Sequence, residues 1–396
     1  MFKDLSHSLA VPPSRDERSR QEFVASLRHH ALDDMAGTMR RRYEARVAPG
    51  FQREHGRQPG SGEEVHDAMR PDPYFQFYSA VRYNAQEMVF RSVIPTVDRS
   101  LDDLNGRVRE RLQDPAATGS LAVDPAFPVP RSVTEIDVHL APGSYHTEYA
   151  DGDAAGGAIY DNAINVFAFG QMGRDVDDIG TSFANWLRLR YPDFRPARML
   201  DAGCTVGHNT CPWKQVFPET EVHAIDVSAP VLRYAAARAR SKGLDIHFHQ
   251  MSGTKLAFAD GSFDLVFSSM FLHELPLRDI RAFFREAFRV LRPGGLLLNM
   301  ELPPNDRMEP YDRFYLDWDC FYNKEPFYKP FRDQDYRKLC TDAGFSADRF
   351  LEAVMPRYQY TDPAVFAAEV NGGPTFDNRT GRLSQEIRWY GFGAFK

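Results

Sequence analysis

The sequence predicts an α/β protein in two parts: a mainly helical region over residues 1–190 and a mainly parallel sheet, covered by helices on both faces, over residues 191–396. Two observations carry this expectation. After Pro196 five short apolar runs, at 198–202, 221–227, 245–249, 263–268 and 295–300, alternate with segments of helical period. Before it, apolar side chains recur at helical spacing along extended stretches, and strand-like runs are sparse.

In chain order, Phe23, Leu27, Ala31, Met35, Met39 and Tyr43 form one stripe of a long amphipathic helix over 18–47, with Arg40, Arg41 and Arg42 on a solvated face. Residues 48–73, rich in Gly, Pro and charge, read as a loop. A second helix begins at Tyr74 and places Met88, Val89, Val93, Val97, Leu101 and Leu104 on one face; Pro95 is expected to kink or break it. Short extended pieces, such as Glu135 to Leu140, fall in the punctuated stretch 114–157, and one or two helices fill 158–190. In the second half Ser228 is placed to cap a helix, Pro230 to sit in its first turn and Gly243 to follow its last. Leu277, Ile280, Phe283, Phe284, Ala287, Phe288 and Leu291 mark a core-facing helix. Two late strands, 349–355 and 386–395, suit an antiparallel pair at the sheet edge.

Bulk properties narrow the function. A formal charge of −7 argues against nucleic acid, whose phosphates call for clustered Lys and Arg. Cys204, Cys211, Cys320 and Cys340 form no C-x-x-C pair, so neither a disulfide framework nor a zinc knuckle is expected. No apolar run reaches the length of a signal peptide or a membrane span, and the expectation is a reduced, cytoplasmic protein.

The first strand ends in a glycine turn, Leu200-Asp201-Ala202-Gly203-Cys204-Thr205-Val206-Gly207-His208. Glycines there let a backbone approach a ligand, and the helix beyond offers unpaired N–H groups. The second strand ends in Asp226, about twenty residues on, where a carboxylate can accept from both hydroxyls of a ribose. The turn lacks the G-x-G-x-x-G of a dinucleotide site, and an acidic residue, Asp201, opens it instead. That suits a cationic ligand better than a pyrophosphate.

The runs MLDAGCTVGHNT, VHAIDVS, GSFDLVFSSMFLHELP and VLRPGGLLLNME, in this order and spacing, resemble the class I S-adenosylmethionine (SAM) methyltransferases, in particular the ubiquinone/menaquinone-type branch that acts on small molecules. The resemblance implies a Rossmann-like seven-stranded sheet with the last strand antiparallel, SAM as cofactor, and methyl transfer to a small-molecule acceptor. It implies that Asp201, Gly203, Cys204 and Gly207 form the SAM turn and that Asp226 holds the ribose with Val227 against the adenine. Ser268 and Ser269 would line the methionine end. The family's third glycine is replaced by Thr205, and its acidic partner for the adenine amine by Ser252, followed by Gly253. Two alternatives share these motifs: SAM used without methyl transfer, as in cyclisation or decarboxylation, and a non-catalytic SAM-binding module.

Candidates for the acceptor side follow. His273, in Leu272-His273-Glu274, could be a polar group or base near the transferred methyl, or a structural residue at the next helix. Tyr311, Tyr315, Trp318 and Asp319 lie in an aromatic, acidic segment beyond the fifth strand. They could line an acceptor pocket or pack a helix into the core. Tyr145 and His146 precede the cofactor domain and are candidate pocket residues. The spacing of His139, His146 and Glu148 could converge on a divalent ion, although a polar or substrate-facing cluster is the commoner outcome, and no metal is expected. The N-terminal region is expected to cover the substrate and to offer a surface for homodimer formation.

Overall fold

A computed structural model describes residues 5–377, 379–383 and 386–396. Its centre is one eight-stranded sheet: β1 (Ser120–Ala122), β2 (Arg198–Ala202), β3 (Glu221–Asp226), β4 (Ile246–Gln250), β5 (Phe263–Ser269), β6 (Leu291–Glu301), β7 (Phe350–Met355) and β8 (Trp389–Phe395). The order across the sheet is β1-β4-β3-β2-β5-β6-β8-β7. Only β8 runs against its neighbours, pairing antiparallel with β6 and β7. Seven strands are those expected from the sequence. The eighth, β1, comes from the punctuated stretch before the second half and pairs parallel with β4 at the edge.

Direction along the sheet reverses between β2 and β5, both parallel. Connections there leave toward opposite flanks, so a crevice opens beyond the strand ends at this switch point. β5 is buried along its whole length, as a central strand with both faces covered must be. On one face Phe183, Leu187, Trp213 and Leu232 pack from helices. On the other lie Ile280, Phe283, Phe284 and Ala287 of the helix Leu277–Val290, the core stripe read from the sequence. Fully burying each such ring contributes about 1.5–3 kcal/mol.

The N-terminal half departs from expectation in three places. The first helix, capped by a reciprocal Ser14–Glu17 pair, runs from Arg15 to His55 through two π-helical stretches, and a further helix, Gly62–Met69, follows. Much of 48–73 is therefore helical rather than loop: Ser61 caps Gly62–Met69, whose Val65 and Met69 are buried. The helix Pro73–Arg99 continues through Pro95. Packing of Phe90, Val93 and Val97 into a buried cluster outweighs the one backbone hydrogen bond that proline removes. Finally, Glu135 to Leu140 is not extended; Val138–Leu140 is a short turn with His139 and Leu140 in the left-handed region (φ 55° and 57°). Residues 1–190 and 191–396 share buried contacts, including Tyr234 and Val231 packed among Ala155, Ala158 and Val89.

Candidate active site

Beyond the ends of β2, β3 and β5 lies a cavity of about 490 Å³. Its cofactor end is built by the glycine turn. Gly203 and Cys204 both donate their N–H to the Ile225 carbonyl, at 2.9 and 3.0 Å, which fastens the turn to the end of β3. Gly203, Thr205 and Gly207 all take left-handed backbone (φ 73°, 45° and 76°). At Gly203 a side chain would also meet the Phe271 ring, 2.3 Å from where its Cβ would stand. Thr205 alone adopts this conformation with a Cβ, at a cost of about 1–2 kcal/mol.

Asp226 closes the turn from the other side. Its two oxygens accept from the backbone N–H groups of Ser228 (3.0 Å) and Thr205 (3.1 Å), and the residue lines the cavity. Burial raises its pKa, opposed by those backbone donors. Each oxygen keeps a lone pair for a further donor. Asp201 lies beneath the turn, outside the lining, and accepts from the Thr210 hydroxyl at 2.5 Å. Burial pushes its pKa up to about 7, and neighbouring Asp226 adds to the rise.

Of the remaining cofactor candidates, Val227, Ser252, Gly253 and Ser269 line the cavity with Gly203 and Asp226. Ser252 is turned inward on its own loop, its hydroxyl 2.8 Å from that of Thr254. Cys204 and Gly207 belong to the turn without facing the cavity, and Ser268 is buried in the sheet, donating to Asn299 at 2.8 Å.

The acceptor end divides the sequence candidates. Tyr315 and Asp319 line the cavity with Leu316 and Cys320 on one face of the helix Pro310–Tyr322. Tyr311 and Trp318 do not. Trp318 is buried against Phe75 and Tyr78, with its indole N–H donating to Ser79 at 2.9 Å, and Tyr311 packs on Tyr43 beneath the Arg40 guanidinium. Both rings face the N-terminal helices. Arg40, read as part of a solvated face, pairs with Asp312 at 2.8 Å. Asp319 accepts from the buried Arg82 at 2.6 Å.

His273 sits at the cavity wall, with Nδ1 2.6 Å from Glu301 and Nε2 3.5 Å from Glu274. Burial disfavours the charged ring, but the two carboxylates more than offset it and lift the pKa well above the usual imidazole range. The carboxylates on both sides therefore favour the charged form of the ring. Glu301 also accepts from the backbone N–H groups of Phe271 and Leu272, so the pair fixes the loop after β5.

Tyr145 lines the cavity, whereas His146 lies outside it. Glu148 binds Arg233 at 2.9 Å, so the less favoured His139–His146–Glu148 grouping is not the one the described residues bring together. His139 instead meets Glu274 and Glu325, and ligand atoms of these three lie within 4.8 Å of one another, a spacing a divalent ion could use. Sequence reasoning missed Glu325, Phe271, Glu301 and Arg82. Glu325 and Arg82 lie in no motif; Phe271 and Glu301 lie in the runs GSFDLVFSSMFLHELP and VLRPGGLLLNME, but their roles come from contacts with each other and with the glycine turn that local spacing does not mark.

The glycine turn, the carboxylate closing β3 and the switch-point cavity together define a nucleoside-binding α/β domain. Residues 199–295 match the family profile described as a methyltransferase domain. Demethylmenaquinone methyltransferase of Thermus thermophilus is 33% identical over 109 residues, covering 28% of this chain and 49% of that protein. Malonyl-[acyl-carrier protein] O-methyltransferase of Hahella chejuensis is 40% identical over 103 residues, covering 26% and 36%. Phosphoethanolamine N-methyltransferase 2 of Haemonchus contortus, solved with phosphomonomethylethanolamine and S-adenosylhomocysteine, aligns at 17% identity and a TM-score of 0.39, covering 59% of this chain and 57% of that one. The chain spans half or less of the length of these curated relatives. Residues 199–295 carry a methyltransferase domain of the class I SAM-dependent kind. Among the described residues, no helix is long and apolar enough to cross a membrane.

Proposed function

We propose that this chain transfers the methyl group of SAM to a small, largely apolar acceptor. Residues 191–396 hold the donor, and residues 1–190 close the acceptor chamber. The observation that carries this reading is the continuity of one cavity, from Asp226 and the glycine turn to a chamber walled by Phe167, Tyr315, Phe327 and Trp389. Phe167 comes from the first half of the chain, as do Leu32, Val138 and Ile164 on the same lining. Such a chamber excludes water and holds a nucleophile in line with the sulfonium, which is most of what transfer from an activated donor requires. Asp226 would accept from the ribose hydroxyls, Val227 would pack on the adenine, and Ser269 would border the methionine end. In the same reading the acceptor is not nucleic acid, in keeping with the charge of −7, and the protein works in the cytoplasm in small-molecule or secondary metabolism. The exposed rings of Phe23 and Phe77 favour pairing of two copies through the N-terminal helices.

The test is Asp226→Ala, measured by calorimetry with SAM. Loss of a buried, charged acceptor should weaken binding by about 2–3 kcal/mol. Affinity within twofold of wild type, with the fold intact, would remove the basis of the reading.

A further inference from the structure

We infer that Tyr145, His139 and Glu325 form a proton relay at the acceptor end of the cavity, and that the acceptor is a weakly acidic aromatic hydroxyl. This rests on the methyltransferase reading above and adds to it the acceptor class and the group that takes its proton.

The three side chains come from distant parts of the chain and meet in a line. His139 Nε2 lies 2.6 Å from Glu325 Oε1, and His139 Nδ1 meets the Tyr145 hydroxyl. A carboxylate oxygen accepts, so Nε2 carries the hydrogen. Nδ1 then keeps its lone pair and accepts from the Tyr145 O–H. All three residues line the cavity. The arrangement parallels a Ser-His-Asp triad, with a phenol in place of the serine and the carboxylate orienting the ring. Glu274, 3.8 Å from His139 Nε2, adds a second negative charge beside the ring.

Two further features hold the line in place. The ring of His139 is delivered by a left-handed backbone (φ 55°) followed by a second left-handed residue, Leu140, an arrangement that persists only where surroundings enforce it. The Gln86 amide donates to the His139 carbonyl at 2.8 Å and supplies part of that enforcement. The Tyr145 carbonyl accepts from Ser228 Oγ at 2.7 Å, which ties the phenol to the strand end that carries Asp226.

The proton balance selects the acceptor class. A neutral amine attacks a methyl group before it loses a proton and needs no base of this kind; a hydroxyl must lose its proton as it attacks. As the acceptor oxygen forms its bond to the methyl carbon, the carbon–sulfur bond breaks with its electron pair on sulfur. The hydroxyl proton passes to Tyr145 Oη, and the tyrosine's own proton passes to His139 Nδ1. The imidazolium so formed stands against Glu325. Rings on the chamber wall, Tyr160, Phe167, Tyr315 and Trp389, suit a planar acceptor.

The experiment compares phenol and 4-nitrophenol as acceptors at about pH 8.5, where the first keeps its proton and the second is ionised. Wild type, Tyr145→Phe and Glu325→Gln are each assayed for S-adenosylhomocysteine formation and for SAM affinity. The relay predicts that both variants lose about a hundredfold in turnover of phenol, lose less than about fivefold with 4-nitrophenol, and bind SAM within twofold of wild type. Equal losses with both acceptors would assign the residues a purely structural role and overturn the relay. If wild type binds SAM but methylates neither phenol, the acceptor class is wrong. Failure of wild type to bind SAM would instead overturn the methyltransferase reading beneath it.

Discussion

The hydroxyl of Ser228 donates to the backbone carbonyl of Tyr145 at 2.7 Å, joining the segment ahead of the cofactor domain to the residue two places after Asp226. The sequence marks Ser228 as the cap of the helix Ala229–Ser241. It occupies that position, yet its side chain makes no bond to the helix. The hydroxyl is spent on the N-terminal half instead, and it sets where the Tyr145 phenol stands relative to the Asp226 carboxylate.

Ser228→Ala removes that tie. The expected cost is about 1 kcal/mol of stability, read from chemical denaturation, because a partly buried carbonyl loses its donor. SAM affinity should change little, since Asp226 keeps its bond from the Ser228 backbone N–H. Turnover should fall more than binding does. An equal drop in both would mean that the tie supports the cofactor turn rather than the acceptor side.

Thr205 takes a left-handed backbone where the resembling family carries glycine. Thr205→Gly should relieve about 1–2 kcal/mol of strain and give back about 0.5–1 kcal/mol through a freer unfolded chain. The net expectation is a small gain in stability, with SAM affinity unchanged, because the contact to Asp226 uses the Thr205 N–H and not its side chain. A tenfold loss of affinity would show that the hydroxyl itself touches the cofactor.

His223 and His249 stack on neighbouring strands, with ring nitrogens 3.0 Å apart, and His247 lies 5.0 Å from His223. Burial, with the neighbouring His223 and His247, depresses the His249 pKa from 6.5 to about 4. The unfolded chain therefore binds this proton more readily than the native one between those values. Stability is complete above about pH 6.5 and declines as pH falls toward 4. His249→Gln should flatten that part of a melting-temperature profile; an unchanged slope would place the acid sensitivity elsewhere.

The fold of the second half was legible because a buried parallel sheet writes continuous apolar runs, and all seven of its strands lie within or beside those runs. The glycine turn was legible because its glycines answer a local backbone demand, the left-handed conformation at Gly203 and Gly207. The acceptor end was not. Tyr311, Tyr315, Trp318 and Asp319 share one helix, and their division between core and cavity depends on which face meets Phe75 and Tyr78, some 240 residues away in sequence. The partnership of His139 with Glu325 likewise has no trace in local spacing. Pro95 misled for the opposite reason: a local helix-breaking signal was overridden by tertiary burial.

Asp201 supplies the last prediction. Its carboxyl is buried, bonded by the Thr210 hydroxyl, and burial pushes its pKa from 3.8 up to about 7. The native state thus binds the proton more tightly than the unfolded one, so stability from this group is full below about pH 4 and is lost as pH rises to 7. Above that, the buried charge costs on the order of a few kcal/mol. Asp201→Asn keeps an acceptor for Thr210 without the charge. Without ligand it should be more stable than wild type at about pH 8, with the difference shrinking toward pH 5. Binding should respond in the opposite sense. A cationic ligand above the turn favours the ionised carboxylate, so below about pH 7 SAM binding should release a proton, and affinity should rise with pH. Calorimetry in two buffers of different ionisation enthalpy counts that proton. The Asn variant should release fewer protons and bind more weakly at pH 8, even though it is the more stable protein. Equal proton release in both proteins would show that the ligand's charge does not reach Asp201, leaving the residue a purely structural part of the turn.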